Sequence, residues 1–474
     1  MIYNFPRKKR IQIKITNYLT FSSPNPFSIS VETPRWDGKL YCSTDTKIWA
    51  EWMGNEVNAT EADGIYALYF SGTGNTKIAG GSSYKWTLNG SSISCTGNIE
   101  SLLDYETVAA GQHPTLADSC YNYMFSNCTS LTTAPSLPAT TLATRCYSYM
   151  FSNCTSLTTA PSLPATKLAN SCYSYMFNNC RNLTTAPSLP ATTLADSCYN
   201  YMFSNCTSLT TAPSLPATTL ATRCYSYMFS NCTSLTTAPS LPATKLANSC
   251  YSYMFNNCRN LTTAPSLPAT TLADSCYNYM FSNCTSLTTA PSLLATTLAN
   301  SCYSSMFRNC TNLRTAPSLP ATTLAGYCYN SMFYGCASLR TAPSLPATTL
   351  ANSCYYFMFY NCTSLTTVPS LSATKLADSC YSYMFNNCRN LTTAPSLPAT
   401  TLAGFCYSYM FNGCTSIKLA ISKSREYDKE YRIPKSGNGV TATRALNNMF
   451  AQTGGTFTGT PSINTTYYTS NTIV

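Results

Sequence analysis

Twenty-six cysteines and one histidine are the residues of this 474-residue chain whose chemistry could go beyond packing. Twenty-four of the cysteines fall in pairs eight residues apart, as Cys120 and Cys128 do, and each pair returns after 26 residues. Cys42 and Cys95 are the remaining two. A zinc site needs ligands clustered at short spacing, but the gap within a pair is eight residues and the only imidazole is His113. Disulfides would need equivalent Cα atoms within bridging distance, matched side-chain directions and an oxidising compartment. The regular spacing favours a third chemistry, the free thiol used as a small buried apolar side chain. Catalysis has little to work with. His113 stands in a linker-like stretch, no Ser/His/Asp set or paired carboxylates are present, and Gly72-Thr-Gly74 is too short to cradle a phosphate. The expectation is a chain with no catalytic residues, no metal site and no cofactor.

The element that must position these cysteines is a 26-residue unit. It is first complete at 116–139, LADSCYNYMFSNCTSLTTAPSLPA, and recurs twelve times as far as Ser416. A fixed period with one apolar set in register is the signature of a solenoid, whose coils bury their apolar sides only by stacking. Asp, Asn, Thr or Gly stands two residues before the first cysteine, as at Asp118, where a helix N-cap would use it. Asn or Gly alone occupies position 127 and its equivalents, where a left-handed residue ends a helix. These two marks predict a two-turn helix over 119–126. Its buried face would carry Cys120, Tyr121, Met124 and Phe125, and positions 122, 123 and 126 would face solvent. Residues 131–135 are predicted as a short parallel strand held by one or two hydrogen bonds, because Pro135 cannot donate. Cys120, Met124, Phe125, Cys128, Leu131 and Leu142 should form the core ladder.

Charge narrows the partners. Only 9% of residues are charged and the net charge is +11. Thr115–Ser416 holds eight Arg, three Lys, four Asp and no Glu, a net of +7 that is thinly spread. Nucleic-acid binders concentrate charge on one stripe, so nucleic acid is not expected. No run of 18 apolar residues exists, which argues against membrane insertion through a helix. Residues 1–15 are basic and lack the apolar run of a secretory signal.

Three regions follow. Residues 1–113 lack the repeat and read as short strands separated by turns, which suggests a small all-β sandwich. All four Trp lie there, and a sandwich core is favoured over a carbohydrate platform. Residues 114–416 are the twelve coils. Residues 417–474 combine a charged insertion or hairpin with an atypical last coil, in which the motif reappears over 446–450 and caps the open end. A 78-residue period is superposed on the first: Ala117–Leu194 repeats as Ala195–Leu272 without a change. Coils eight to twelve drift, and Arg308, Arg314, Tyr334, Arg340, Tyr356 and Tyr360 are new there. They are the candidate binding surface.

The coil pattern MFSNCTSLTTAPSLPATTLA, with Phe125, Cys128 and Leu131 as its Phe-x-x-Cys-x-x-Leu core, resembles the BspA-type leucine-rich repeats. These occur in surface proteins of gut Bacteroidetes and in phages of those hosts. The resemblance implies an α/β, right-handed solenoid of short parallel strands and short helices. It also implies adhesion to a protein or glycan on a host or neighbouring cell, and it supplies no catalytic residues. The expected function is therefore non-enzymatic binding at the repeat surface. A narrower form places the chain on a phage particle, as a fibre, decoration or host-attachment protein beside other virion proteins. A passive spacer without a ligand is the alternative.

Overall fold

In a computed structural model the chain is described over residues 14–435, 442–470 and 472–473. It divides into two compact units, Met1–Ala217 with Tyr227–Leu235, and Thr218–Ser226 with Thr236–Val474.

The first unit opens with β1 (Leu19–Ser23), β2 (Ser28–Val31), β3 (Lys39–Ser43), β4 (Ala50–Glu51), β5 (Val57–Asn58), β6 (Thr60–Ala62), β7 (Ile65–Thr73), β8 (Trp86–Asn89) and β9 (Ile93–Thr96). One sheet runs β9-β1-β7-β3-β4 with β6 on β7, and another runs β5-β2-β8; all these pairings are antiparallel. Trp49, Trp52 and Trp86 are buried, and Trp36 stacks on Trp52 at 5.5 Å. Cys42 and Cys95 are buried free thiols. The leader runs directly into the repeats, because Leu131–Thr133 (β10) adds to β9 in parallel. Backbone N–H groups of Ile78, Ala79 and Trp86 donate to carbonyls of Cys120 and Met124.

Within each coil the expected helix is absent. Residues 118–127 form consecutive turns, and Ser119, Tyr123 and Asn127 all have positive φ, at 62°, 63° and 67°. A left-handed residue at every fourth position cannot sit in an α-helix. The backbone instead alternates its bonding. The N–H groups of Cys120, Asn122, Met124, Ser126 and Cys128 bond three residues back within the coil. Those of Ser119, Tyr121, Tyr123, Phe125 and Asn127 donate to Thr144, Cys146, Ser148, Met150 and Ser152 of the next coil at 2.7–3.0 Å. The two sets together leave no N–H from Ser119 to Cys128 unpaired, which is what a buried segment requires. A left-handed non-glycine residue costs on the order of 1–2 kcal/mol, and each inter-coil bond returns about 1 kcal/mol. Three such residues are therefore tolerable only with a neighbouring coil in place.

This geometry corrects two expectations. The residue before the turns caps no helix. Asp118 Oδ1 accepts from Thr144 N–H at 3.0 Å and Asn170 Oδ1 from Asp196 N–H at 3.2 Å, both on the following coil. Positions 122 and 126 are buried in many coils rather than solvent-facing, as at Asn122, Ser126, Ser148 and Ser152. They are half-buried where larger side chains stand there, as at Arg308, Tyr334, Tyr356 and Tyr360. The ribbon is flat, and alternate peptides rather than one helical face turn toward the neighbour.

Cys120, Met124, Phe125, Cys128, Leu131 and Leu142 are all buried. At the Leu142 position burial alternates: Leu220 is buried, whereas Leu168 and Leu194 are half-buried. Rings stack from coil to coil, Tyr121–Tyr147–Tyr173–Tyr199 at 5.5–5.8 Å and Phe125–Phe151–Phe177–Phe203 at 5.6–5.7 Å. Outside them runs a half-buried row, Tyr123–Tyr149–Tyr175–Tyr201–Tyr227, at 4.2–4.4 Å. Beyond β10 the strand stripe shrinks mostly to single parallel bridges, such as Thr159↔Thr185 and Thr185↔Thr211, with a two-residue strand at Thr393–Ala394.

The second unit repeats the same scheme. Ser301, Tyr303, Ser305, Phe307 and Asn309 donate to the next coil at 2.6–3.0 Å. Tyr407, Tyr409, Phe411 and Gly413 donate to Ala445, Asn447, Met449 and Ala451. Residues 445–452 thus resume the ribbon, Asn448 and Gln452 are again left-handed, and Phe450 stacks on Phe411 at 5.5 Å. Over its described residues, 422–435, the charged stretch SKSREYDKEYRIPKSGNG pairs with a later strand rather than with itself. Its Lys429–Arg432 pairs antiparallel with Thr466–Thr469, which also pairs with Lys418–Ala420. The end of that stretch, from residue 436, lies outside the described residues, as does the basic start, residues 1–13.

Candidate functional site

The cysteines come first, because their chemistry opened the question. Burial pushes the thiols of Cys128 and Cys172 up to about 12 and that of Cys154 well above its ordinary value. A thiol held protonated is a poor nucleophile and a poor metal ligand. It can still donate, and Cys154, Cys180 and Cys206 each give S–H to the carbonyl of Phe125, Phe151 or Phe177 at 3.1 Å. The second cysteine of each pair thus serves as a buried donor as well as an apolar filler. Among the described residues no three His, Cys, Asp or Glu side chains converge as a metal site would need.

His113 is paired with a carboxylate. Its Nδ1 lies 2.8 Å from Oε2 of Glu100, which is buried while the imidazole is half-exposed. Glu100 Oε1 has no partner, and burial raises its carboxyl against the lowering effect of His113. A cavity of about 320 Å³ lies above the pair, walled by Pro114, Leu116 and 139–143. Sequence spacing gave no hint of this pair, since Glu100 belongs to no repeat.

The six candidate surface residues fall into two groups in the second unit. Arg314 and Arg340 are exposed on the strand stripe, one coil apart. Arg308, Tyr334, Tyr356 and Tyr360 are half-buried on the turn side and share one aromatic cluster. The Arg308 guanidinium lies 4.0 Å over Tyr334, on which Tyr360 stacks at 4.6 Å and which Phe357 meets edge-on at 6.3 Å. A second stack, Phe357–Tyr383–Tyr409, runs beside it at 4.5 and 4.6 Å, and Phe357 touches Tyr360 edge-on at 5.3 Å. Tyr356 stands nearly perpendicular to Phe357 and Tyr383. Tyr327 is 51% exposed, a high value for a ring of that size.

Tyr327, Phe357 and Tyr383 were not singled out from sequence. Tyr327 and Phe357 could have been, because they replace Ser or Arg and Tyr at fixed positions of the coil. Charge in the coils is one-sided. Asp274 and Asp378, like Asp118, accept from the next coil's N–H, at 2.9 Å for these two, and every Arg and Lys of the coils except the half-buried Arg308 is exposed.

A model of the BspA-type leucine-rich repeat region matches in six copies, over residues 118–238, 196–340 and 327–431. The chain belongs to this family. Together the matches reach from 118 to 431, well over half its length. No curated protein matches this BspA-type chain. Among solved structures, the crystal structure of a TLR13–ssRNA13 complex is similar at a TM-score of 0.24 and 15% identity. The similarity covers 75% of this chain and 45% of that one, so the BspA-type chain spans under half of that structure. No helix among its described residues is long and apolar enough to cross a membrane.

Proposed function

We propose that the chain is a non-enzymatic adhesion protein whose repeat surface binds a protein or glycan on a host or neighbouring cell. One observation carries this: the Arg308–Tyr334–Tyr360 and Phe357–Tyr383 cluster interrupts an array whose earlier coils are identical over 78 residues. Aromatic and arginine side chains grouped on a surface are the residue types that dominate binding energy at interfaces. The architecture that would present them is a right-handed solenoid of twelve coils over 114–416, closed by 417–474. Before it stands a β-sandwich over 1–113, supported by rings of both leader sheets meeting at its centre, Phe21 and Phe70 with Trp86 at 6.0 and 5.2 Å.

The test is attachment to cells by the full chain and by alanine variants at Arg308, Tyr334, Tyr356 and Tyr360. Loss of attachment by folded variants supports adhesion; unchanged attachment overturns it. The identity of Ala117–Leu194 with Ala195–Leu272 favours the second reading, a passive spacer, and unchanged attachment is what a spacer would give. The same surface would serve a cell-surface adhesin or a phage fibre, decoration or host-attachment protein. Mass spectrometry of purified phage particles distinguishes these settings.

A further inference from the structure

We infer that the aromatic surface around Tyr327 and Tyr356 takes an acidic polysaccharide, one bearing carboxylate or sulfate groups on its sugars. The inference rests on the adhesion reading and names the chemistry of its ligand. Its first support is charge. Between Thr115 and Ser416 stand eleven cations against four aspartates. Among the described residues the ion pairs are Lys39–Glu51 and His113–Glu100, both in the leader, so no cation of the coils is neutralised by one. The carboxylates of Asp274 and Asp378 in the same unit are already held by backbone N–H.

The second support is the geometry of the rings. Tyr334 has Arg308 and Tyr360 as neighbours, and Phe357 is stacked on Tyr383. Tyr356 stands across the stacks, meeting Phe357 and Tyr383 edge to face, and Tyr327, one coil earlier, is 51% exposed. These two rings are the ones positioned to receive the C–H face of a sugar, with the Arg308 guanidinium in the same cluster for its acidic group. A flat ring with an apolar body and a polar tip suits a ligand that is apolar on one face and hydroxylated at its rim.

The distribution of cations separates this ligand from nucleic acid. Arg145 and Arg223 occupy one position of the coil, Lys167, Lys245 and Lys375 another, Arg181, Arg259 and Arg389 a third, Arg314 and Arg340 a fourth, and Arg308 a fifth. No single stripe collects the charge that would neutralise successive phosphates. Intermittent charge beside unstacked rings fits a polymer whose own charges are intermittent.

The experiment measures binding of the full chain to immobilised polygalacturonate and chondroitin sulfate, with dextran and single-stranded DNA of similar length as comparisons. The expected result is binding to both acidic glycans that weakens as NaCl is raised, and binding to dextran and DNA that is about ten-fold weaker or less. Tyr327→Ala with Tyr356→Ala should reduce acidic-glycan binding about ten-fold while far-UV circular dichroism is unchanged. Arg308→Gln should reduce the acidic glycans and leave dextran alone. Equal binding to dextran, equal binding to DNA, or indifference to the tyrosine pair overturns the inference. Treating cells with polysaccharide lyases separates the two claims. Attachment that depends on the tyrosines but survives the lyases sinks the acidic-glycan ligand and leaves adhesion standing. Attachment unchanged in the alanine variants at Arg308, Tyr334, Tyr356 and Tyr360 sinks adhesion itself.

Discussion

At the scale of single residues, the left-handed positions decide which side chains the coil accepts. Asn153 has φ 63°, and its Nδ2 donates to Asn127 Oδ1 at 2.8 Å while its own Oδ1 accepts from Asn179. Gly335 and Gly413 occupy the equivalent place at φ 71° and 76°. Asn153→Gly should therefore cost only a few tenths of a kcal/mol, and Asn153→Ala about 1–2 kcal/mol, because alanine keeps the Cβ strain and loses the amide. Urea denaturation of both variants checks the order, and an alanine variant as stable as the glycine one would contradict it. The thiols make a second prediction. Their folded values are raised, to about 12 at Cys128 and Cys172, whereas an unfolded cysteine ionises near 8.5. Raising the pH thus takes protons from the unfolded chain first and favours it. The thermal midpoint should hold between pH 7 and 8 and fall steadily above about pH 9, and iodoacetamide at pH 8 should label the native coils hardly at all. A flat profile to pH 11 would contradict this burial.

At the scale of the element, the coil shows how far sequence goes and where it stops. The left-handed residue at 127, the apolar ladder and the brief strand were legible, because each depends on residue type at a fixed spacing. The cap expected at 118 turned out to be a bond to the next coil. The helix was not a correct expectation. Cys120 with Met124, and Tyr121 with Phe125, are four apart both in a helix and in this ribbon of turns, so periodicity does not separate the two. The discriminating residue was Tyr123, whose left-handed φ rests on a bond to the next coil and on stacking against Tyr149. Neither support is visible inside one unit of sequence. The binding candidates divided for a similar reason: the sequence marks novelty, and only the path of the chain sorts Arg314 and Arg340 from the cluster around Tyr334. Two consequences follow for the element. The far-UV circular dichroism spectrum should lack strong minima at 208 and 222 nm, and helical content of a third or more would contradict the ribbon. Removing Ala195–Leu272 should leave a folded chain with a smaller denaturant m-value, since less surface is exposed on unfolding. Removing half a coil, 195–207, should abolish cooperative unfolding, because every inter-coil bond downstream loses its register.

At the scale of the whole molecule, identical coils and divergent coils ask to be exchanged. Ala299–Leu376 carries Arg308, Arg314, Tyr327, Arg340 and the Tyr334–Tyr360 stack, and it is 78 residues long, the length of the perfect repeat. Replacing it with a copy of Ala117–Leu194 preserves every core position and the 26-residue register while erasing the aromatic cluster. The most direct measurement is cell attachment by this exchanged chain, scored beside the parent at equal folded concentration. Attachment should fall to background while thermal stability stays within a few degrees of the parent; attachment at the parent's level would contradict the assignment of recognition to these coils.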